Sequence, residues 1–366
     1  MTTKKKNNRF FSIDVFGTKF KYSLLTIMLI YLVGLVQYVV MHFRTDDPIP
    51  QVTTIDAIMR RQFRYFSAKV RAGLYIKNFS VFDFEKNDFM IDGMVWFEFN
   101  KNEIMLKTIE KFSFENSKIV YKSPPNVKIN DDRILVTYDV IFSVKTDVSF
   151  YRFPLEDHRL SIVLTNDFVS PSEMYFDDET DSLSFTVSDK LFTSNWRVHS
   201  LNILSGYSAL HYDVHRKERR INTPKVVFTI NFGKSGLKKI MVIFVPIFAA
   251  IFFSLFSFLS HYANLYARYG LTVTPITALL GYRFVIENMS PSVGYFTVSD
   301  KLYVFFILFA FLTFVFQLWF SRRFAEKGST AQETAAIGVY AEKISSIAYF
   351  ISLIIFVVAV TYIILA

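Results

Sequence analysis

The sequence predicts a membrane protein: an antiparallel β-sandwich domain outside the membrane, a four-helix transmembrane bundle, and one additional N-terminal transmembrane helix. Three observations carry this. One uncharged apolar run stands alone near the N-terminus, several more crowd the last third of the chain, and the long stretch between them alternates like strands. The layout is a basic tail over 1–21, a span over 22–43, a linker with a helix over 44–69, the sandwich over 70–236 and the helical domain over 237–366. Of 366 residues, 52% are hydrophobic and 42 are Phe, which suits lipid-facing helices; none is Cys, which excludes disulfides and Cys-bearing zinc sites.

The tail carries Lys4, Lys5, Lys6, Arg9, Lys19 and Lys21 against the single acid Asp14. A basic cluster flush against an apolar run marks the cytoplasmic side. The net charge of +9 therefore does not imply nucleic acid; aromatic residues lie in apolar runs rather than among the basic ones. Tyr22–Met41 holds no charge and is long enough to cross about 30 Å of hydrocarbon. A cleaved signal peptide would have a shorter apolar core and a small-residue site after it. Here the run ends in Val39-Val40-Met41-His42-Phe43-Arg44, which fits an uncleaved anchor.

Residues 45–67 place Ile55, Met59, Phe63 and Phe66 on one helical face. Alternating stretches follow at Val70–Phe79, Phe89–Phe99, Ile134–Val144, Leu160–Leu164, Trp196–Leu204 and Val226–Phe232, separated by Asn, Asp, Pro and Ser clusters. Many short strands with turns between them predict the sandwich. Phe185–Leu191 recurs literally as Phe296–Leu302 with unmatched flanks; in the second copy Ser299 or Asp300 is placed to cap a helix.

Leu237–Ser260 is the second span and contains Pro246, a kink that packed membrane neighbours tolerate. Leu302–Phe320 and Ile344–Ala366 are apolar spans. Leu271–Met289 is long enough to cross but carries three threonines, Pro275, Arg283 and Glu287. Charge at depth costs at least about 2.5–3.5 kcal/mol, so this helix should face a bundle interior or a water-filled path. The basic residues of the short loops (Arg268; Arg322, Arg323, Lys327 and Lys343) fit five spans, with the N-terminus cytoplasmic and the β domain periplasmic.

From Val70 onward the chain resembles the pentameric ligand-gated ion channels, the Cys-loop receptor superfamily in its bacterial, cysteine-free form. Tyr151-Arg-Phe153-Pro154-Leu155-Glu156-Asp157-His158 is similar to the Phe-Pro-Phe-Asp-x-Gln core of that family's signature loop, with Glu156 in place of Asp and His158 in place of Gln. Trp196, the later strands, Lys234, Pro246 and Phe256-Ser-Phe-Leu259 follow in the family's order, and a polar second channel helix, short outer loop and third helix come after them. The N-terminal helix is outside the family plan.

The resemblance implies a homopentamer in the bacterial inner membrane, in contact with lipid, gated by a small-molecule ligand or a proton. It implies a pore face on the second channel helix, where Thr272, Ile276, Leu279, Arg283 and Glu287 share a side, with Ile276 and Leu279 as an apolar ring and Arg283 within pairing distance of Glu287. The bland alternative is a closed bundle in which Arg283–Glu287 is structural. The resemblance also implies coupling through Phe153, Pro154, Glu156 and Asp157, with Lys234, Lys238 or Lys301 as partners of the acids. Ligand contacts would come from Trp96 and Phe97 on one side and Phe168, Tyr175, Tyr207 and Tyr212 on the other, beside the basic loop 215–220; core packing is the ordinary role of each of these rings. His158, His211 and His215 are candidates for sensing mild acid.

No enzyme is expected: metal-ligand spacing and a Gly-rich phosphate loop are lacking, and no cofactor is implied. Asp131-Asp132 and Asp177-Asp178-Glu179 read as surface turns. The reading from a different class is a non-conducting receptor or scaffold whose extra helix meets protein partners.

Overall fold

The computed structural model describes residues 17–54, 67–177, 182–191, 193, 196–211, 220–234, 237–261, 263–324 and 331–365. The chain divides into a helical unit (Met1–Phe43, Phe150–Leu155, Leu237–Ala366) and a sheet unit (Arg44–Ser149, Glu156–Gly236). Residues 1–16 of the basic tail and the helical face at 55–66 lie outside the described residues; 45–54 is not helical.

The sheet unit contains eleven strands among the described residues: β1 (Ala68–Asp83), β2 (Asp88–Asn100), β3 (Ser113–Phe114), β4 (Ser117–Lys122), β5 (Asn126–Asn130), β6 (Arg133–Val144), β7 (His158–Thr165), β8 (Met174–Phe176), β9 (Leu183–Val187), β10 (Trp196–His211) and β11 (Arg220–Lys234). All six predicted strands fall inside these. One sheet has the order β4-β6-β2-β1-β8, with β5 on β6 and β9 on β1; the other has the order β10-β11-β7-β3. Alternation drives the pairing. β2 buries every second residue, so its register against β1 and β6 is set by one buried face. A continuous apolar core takes Leu74, Phe97 and Phe142 from the first sheet and Leu160, Phe228 and Phe232 from the second.

The first sheet departs from the antiparallel expectation, because β8 and β9 both pair with β1 in parallel. Parallel pairing requires a crossover rather than a tight turn, and β2 to β7 lie between β1 and these partners in the chain. The acidic turns also differ from one another. Asp131, at φ 52°, makes the tight β5–β6 hairpin. Asp177 is buried and pairs with Lys69 at 3.0 Å.

The helical unit contains α1 (Thr18–Met41), α3 (Lys238–Phe256), α4 (Leu265–Met289), α5 (Val298–Phe324) and α6 (Ala331–Leu365); α2 (Leu106–Ile109) is a single turn in the sheet unit. Five helices among the described residues are long and apolar enough to cross a membrane. α1 buries Leu25, Met28, Leu32, Leu35 and Val39, the three-four spacing of one helical face. It meets α6: the Tyr349 hydroxyl donates to the Lys21 carbonyl at 2.9 Å, Phe20 packs on Phe350, and Tyr31 and Thr361 share a hydroxyl hydrogen bond at 2.8 Å. Partners 328 and 330 residues apart at both ends of the contact mean that α1 and α6 run in the same direction. If every helix crosses, equal direction requires an odd number of crossings from the first to the last, so five spans are consistent and four are not.

Pro246 sits inside α3 and leaves the Val242 carbonyl without its helical donor. The Tyr282 hydroxyl of α4 donates to that carbonyl. The proline is thus tolerated by a cross-helix hydrogen bond. At the start of α5, Thr297 and Asp300 exchange hydrogen bonds: the Thr297 amide donates to Asp300 Oδ2 at 3.1 Å and the Asp300 amide to Thr297 Oγ1 at 3.3 Å. This is a capping box with Thr297 as cap, two residues before Ser299 and three before Asp300, the caps expected. The first copy of the repeat forms β9 and a turn instead, so the heptapeptide's conformation is decided by its surroundings.

Candidate functional site

In the sheet unit, the residues that follow the signature turn are buried and charged. Lys234 Nζ lies 3.1 Å from Glu156 Oε1, so the expected pairing with Lys234 is present; the Lys234 ammonium also lies over Trp196 at 5.4 Å. Asp157 accepts from the backbone amides of Lys234 (3.0 Å) and Arg44 (2.8 Å), and its own amide donates to the Arg44 carbonyl at 2.9 Å. His158 is buried, stacked on Phe84, with Nδ1 3.1 Å from Asp47 Oδ2. Asp47, 3% exposed, also accepts from the amides of Ser149 (2.6 Å) and Arg159 (2.7 Å). Sequence reasoning missed Arg44, Asp47 and Arg159, because 45–67 reads as a helix and the partners of Arg44 and Asp47 lie more than a hundred residues away.

Burial raises the Asp157 carboxyl above its ordinary 3.8, an effect that its amide donors and Lys234 only partly offset. A carboxyl raised in the folded state binds a proton there that the unfolded chain has released. Its contribution to stability is thus present below pH 3.8 and lost as pH rises through the folded value. In melts of purified protein across that window, Asp157→Asn is expected to remove a component that falls with rising pH; an unchanged pH profile would rule it out.

In the helical unit, the turn Phe150–Leu155 is held by the α4–α5 connection and by the start of α5. The amides of Val298 and Ser299 donate to the carbonyls of Tyr151 (2.9 Å) and Phe153 (3.0 Å), so the turn satisfies two of the amides that a helix start leaves open. Tyr151 stacks on Tyr295 at 3.9 Å, and the Phe150 amide donates to the Tyr295 hydroxyl at 2.9 Å. Phe153 and Pro154 are buried, joined by a cis peptide, and Lys239 Nζ lies 4.6 Å over the Phe153 ring. Lys301 is exposed on α5.

α4 begins at the Asn264 side chain, which accepts from the Ala267 amide at 3.2 Å. Its two faces differ sharply. Arg268, Thr272, Pro275, Leu279 and Ile286 are buried among the other helices. Gly270, Thr274, Thr277, Gly281, Phe284 and Asn288 are exposed, and at 3.6 residues per turn they fall within an arc of about 80°. The face expected from sequence is therefore split. Thr272 and Leu279 point into the chain's own packing, Ile276 and Arg283 are half-buried at its flank, and Glu287 is exposed. Thr272 can be buried because its hydroxyl donates to the carbonyls of Arg268 and Tyr269. Arg283 pairs with Asp300 at 2.7 Å rather than with Glu287. Arg268, 1% exposed, donates to the Ser257 carbonyl at 3.1 Å and to Ser345 Oγ, and lies over the Phe320 ring at 4.2 Å. No acid pairs with it among the described residues.

The aromatic candidates do not converge within one chain. Trp96 lies half-buried across Gly73 on β2, where a side chain at Gly73 would collide with it. Phe97 is in the core against Phe112 and Tyr138. Phe168 is exposed with Lys111 over its ring at 4.6 Å, and Tyr175 is buried in β8. Tyr207, in β10 of the other sheet, pairs its backbone with Thr53. Tyr212, His211's side chain, His215 and the basic loop lie outside the described residues. No group of three or more metal-ligating side chains occurs among the described residues.

No protein-family model matches the chain, and no curated protein matches it either.

Proposed function

We propose that the chain is a subunit of a homopentameric ion channel of the bacterial inner membrane, gated by a small ligand or a proton. In this reading the two sheets form a periplasmic sandwich, α3–α6 form the four-helix bundle, the N-terminus is cytoplasmic, and α4 from each subunit lines the pore. One observation carries it: the exposed face of α4. The mean hydropathy of this helix is 1.2, against 2.2–2.7 for the other four. Two glycines, two threonines and an asparagine are exposed along one line that also holds Phe284. Such a face has little reason to meet lipid and suits a water-filled path. Val273, Leu280 and Phe284 are exposed apolar side chains available for a dewetting constriction on or near it. The turn capping α5 beside the α4–α5 connection supports a route by which the signature loop acts on α4.

Because the chain has no native cysteine, single cysteines report cleanly. In proteoliposomes, a charged thiol reagent is expected to block flux through Thr274→Cys and Thr277→Cys and to leave Leu279→Cys unaffected. Flux that is insensitive at 274 and 277 removes these positions from the pore. A protein with five-fold symmetry and no flux favours the second reading, a non-conducting receptor or scaffold. The observation on its side is α1, which the channel plan does not require.

A further inference from the structure

We infer that the segment Arg44–Asp47 is a strap by which the N-terminal helix α1 sets the position of the signature turn. The inference goes beyond conduction and does not depend on it. Within the sheet unit, the strap holds both ends of the turn. Ser149, which precedes it, and Arg159, which follows it, donate their amides to the two oxygens of one buried carboxylate, Asp47. Arg159 Nη1 adds a hydrogen bond to the Asp47 carbonyl at 2.9 Å. Arg44 and Asp157 are joined twice, amide to carboxylate and amide to carbonyl. The neck of the turn is therefore closed by residues that belong to neither of its flanking strands.

The connection to α1 is short. The helix ends at Met41, and the His42 ring is bonded to the Tyr38 carbonyl at 2.8 Å, which ties the exit to the last turn. Three residue steps separate Met41 from Arg44, a reach of at most about 11 Å. A displacement of α1 larger than that reach is therefore passed on to Arg44. α1 is an apolar helix held by one stripe to α6, with Ile27, Ile30, Val33 and Met41 exposed, so its tilt answers to bilayer thickness.

The test is hydrogen exchange at the amides of Ser149, Asp157 and Arg159 in the full chain, reconstituted in short-chain and in long-chain phosphatidylcholine nanodiscs. In the native sequence, exchange is expected to differ between the two bilayers by about three- to tenfold, the scale of mismatch costs. A Gly-Ser-Gly-Ser insertion between His42 and Phe43 adds about 13 Å of reach while keeping every strap residue. It is expected to abolish the difference and preserve protection of the three amides. A native chain with no bilayer dependence, or an inserted chain that keeps it, overturns the strap. Flux through the same preparations separates this outcome from failure of the channel reading.

Discussion

Alanine at Lys234 is expected to destabilise the sheet unit by about 3–5 kcal/mol, more than any surface ion pair could cost. The reason is what it leaves behind. The side chains of Glu156 and Lys234 are 5% and 12% exposed, and Glu156 Oε2 has no hydrogen-bond partner among the described residues. Without Lys234, a carboxylate is held in a desolvated site, with His158 Nε2 3.9 Å from Oε1. Deleting both charges together, as Glu156→Gln with Lys234→Met, should restore most of the loss, since a buried pair is worth little against neutral groups of similar shape. Trp196, beside the ammonium, provides fluorescence for denaturant titrations of the two single variants and the double one. A Lys234→Ala loss below about 1 kcal/mol would mean that the pair behaves as an exposed one.

The six strands that the sequence revealed are not all marked in the same way. β2 and β6 bury alternate residues, so their apolar residues recur with period two, whereas β7 and β11 are buried on both faces and stand out as apolar runs. β8 and β9 escaped because three or five residues are too few for a period to register, and because their partner, β1, lies on the far side of a crossover. The expected helix after α1 has the opposite explanation. Its four apolar positions are all within 55–66, outside the described residues, while Arg44 and Asp47 supply backbone and carboxylate groups to neighbours more than a hundred residues away in sequence. Such long-range polar partners leave no local pattern. The Glu156–Lys234 pair was legible only because an aligned order of motifs put both at the same place.

Membrane helices hide their phase for another reason. In water, polarity marks the outside; in a membrane unit, polarity marks whichever side has partners. Thr272 answers its own backbone, Arg283 answers Asp300, and Arg268 answers Ser257 and Ser345. Thr272 and Arg283 were expected on the pore face and Arg268 in the loop before it; each instead makes hydrogen bonds within the packed chain. What remains exposed on α4 mixes the small residues Gly270, Thr274, Thr277 and Gly281 with the apolar side chains Val273, Leu280 and Phe284.

Leu279 and Thr277 therefore make the sharpest contrast in the helical unit. Leu279 is 1% exposed, and Leu279→Ala is expected to destabilise the unit within the lower half of the range of about 2–5 kcal/mol known for such truncations. The lower half applies because lipid offers no hydrophobic gain between helices, so the lost packing and the cavity account for the cost. Thr277→Ala removes a side chain whose only bond is to the Val273 carbonyl of its own helix, at 3.2 Å, and should change stability by less than about 0.5 kcal/mol. Thermal unfolding in detergent measures both. Flux gives the complementary ordering: if the exposed line faces the pore, Thr277→Ala changes conduction at unchanged stability, whereas Leu279→Ala lowers stability first. Equal stability of the two variants would place Leu279 outside the packed face and return the pore to the side that carries Thr272 and Leu279.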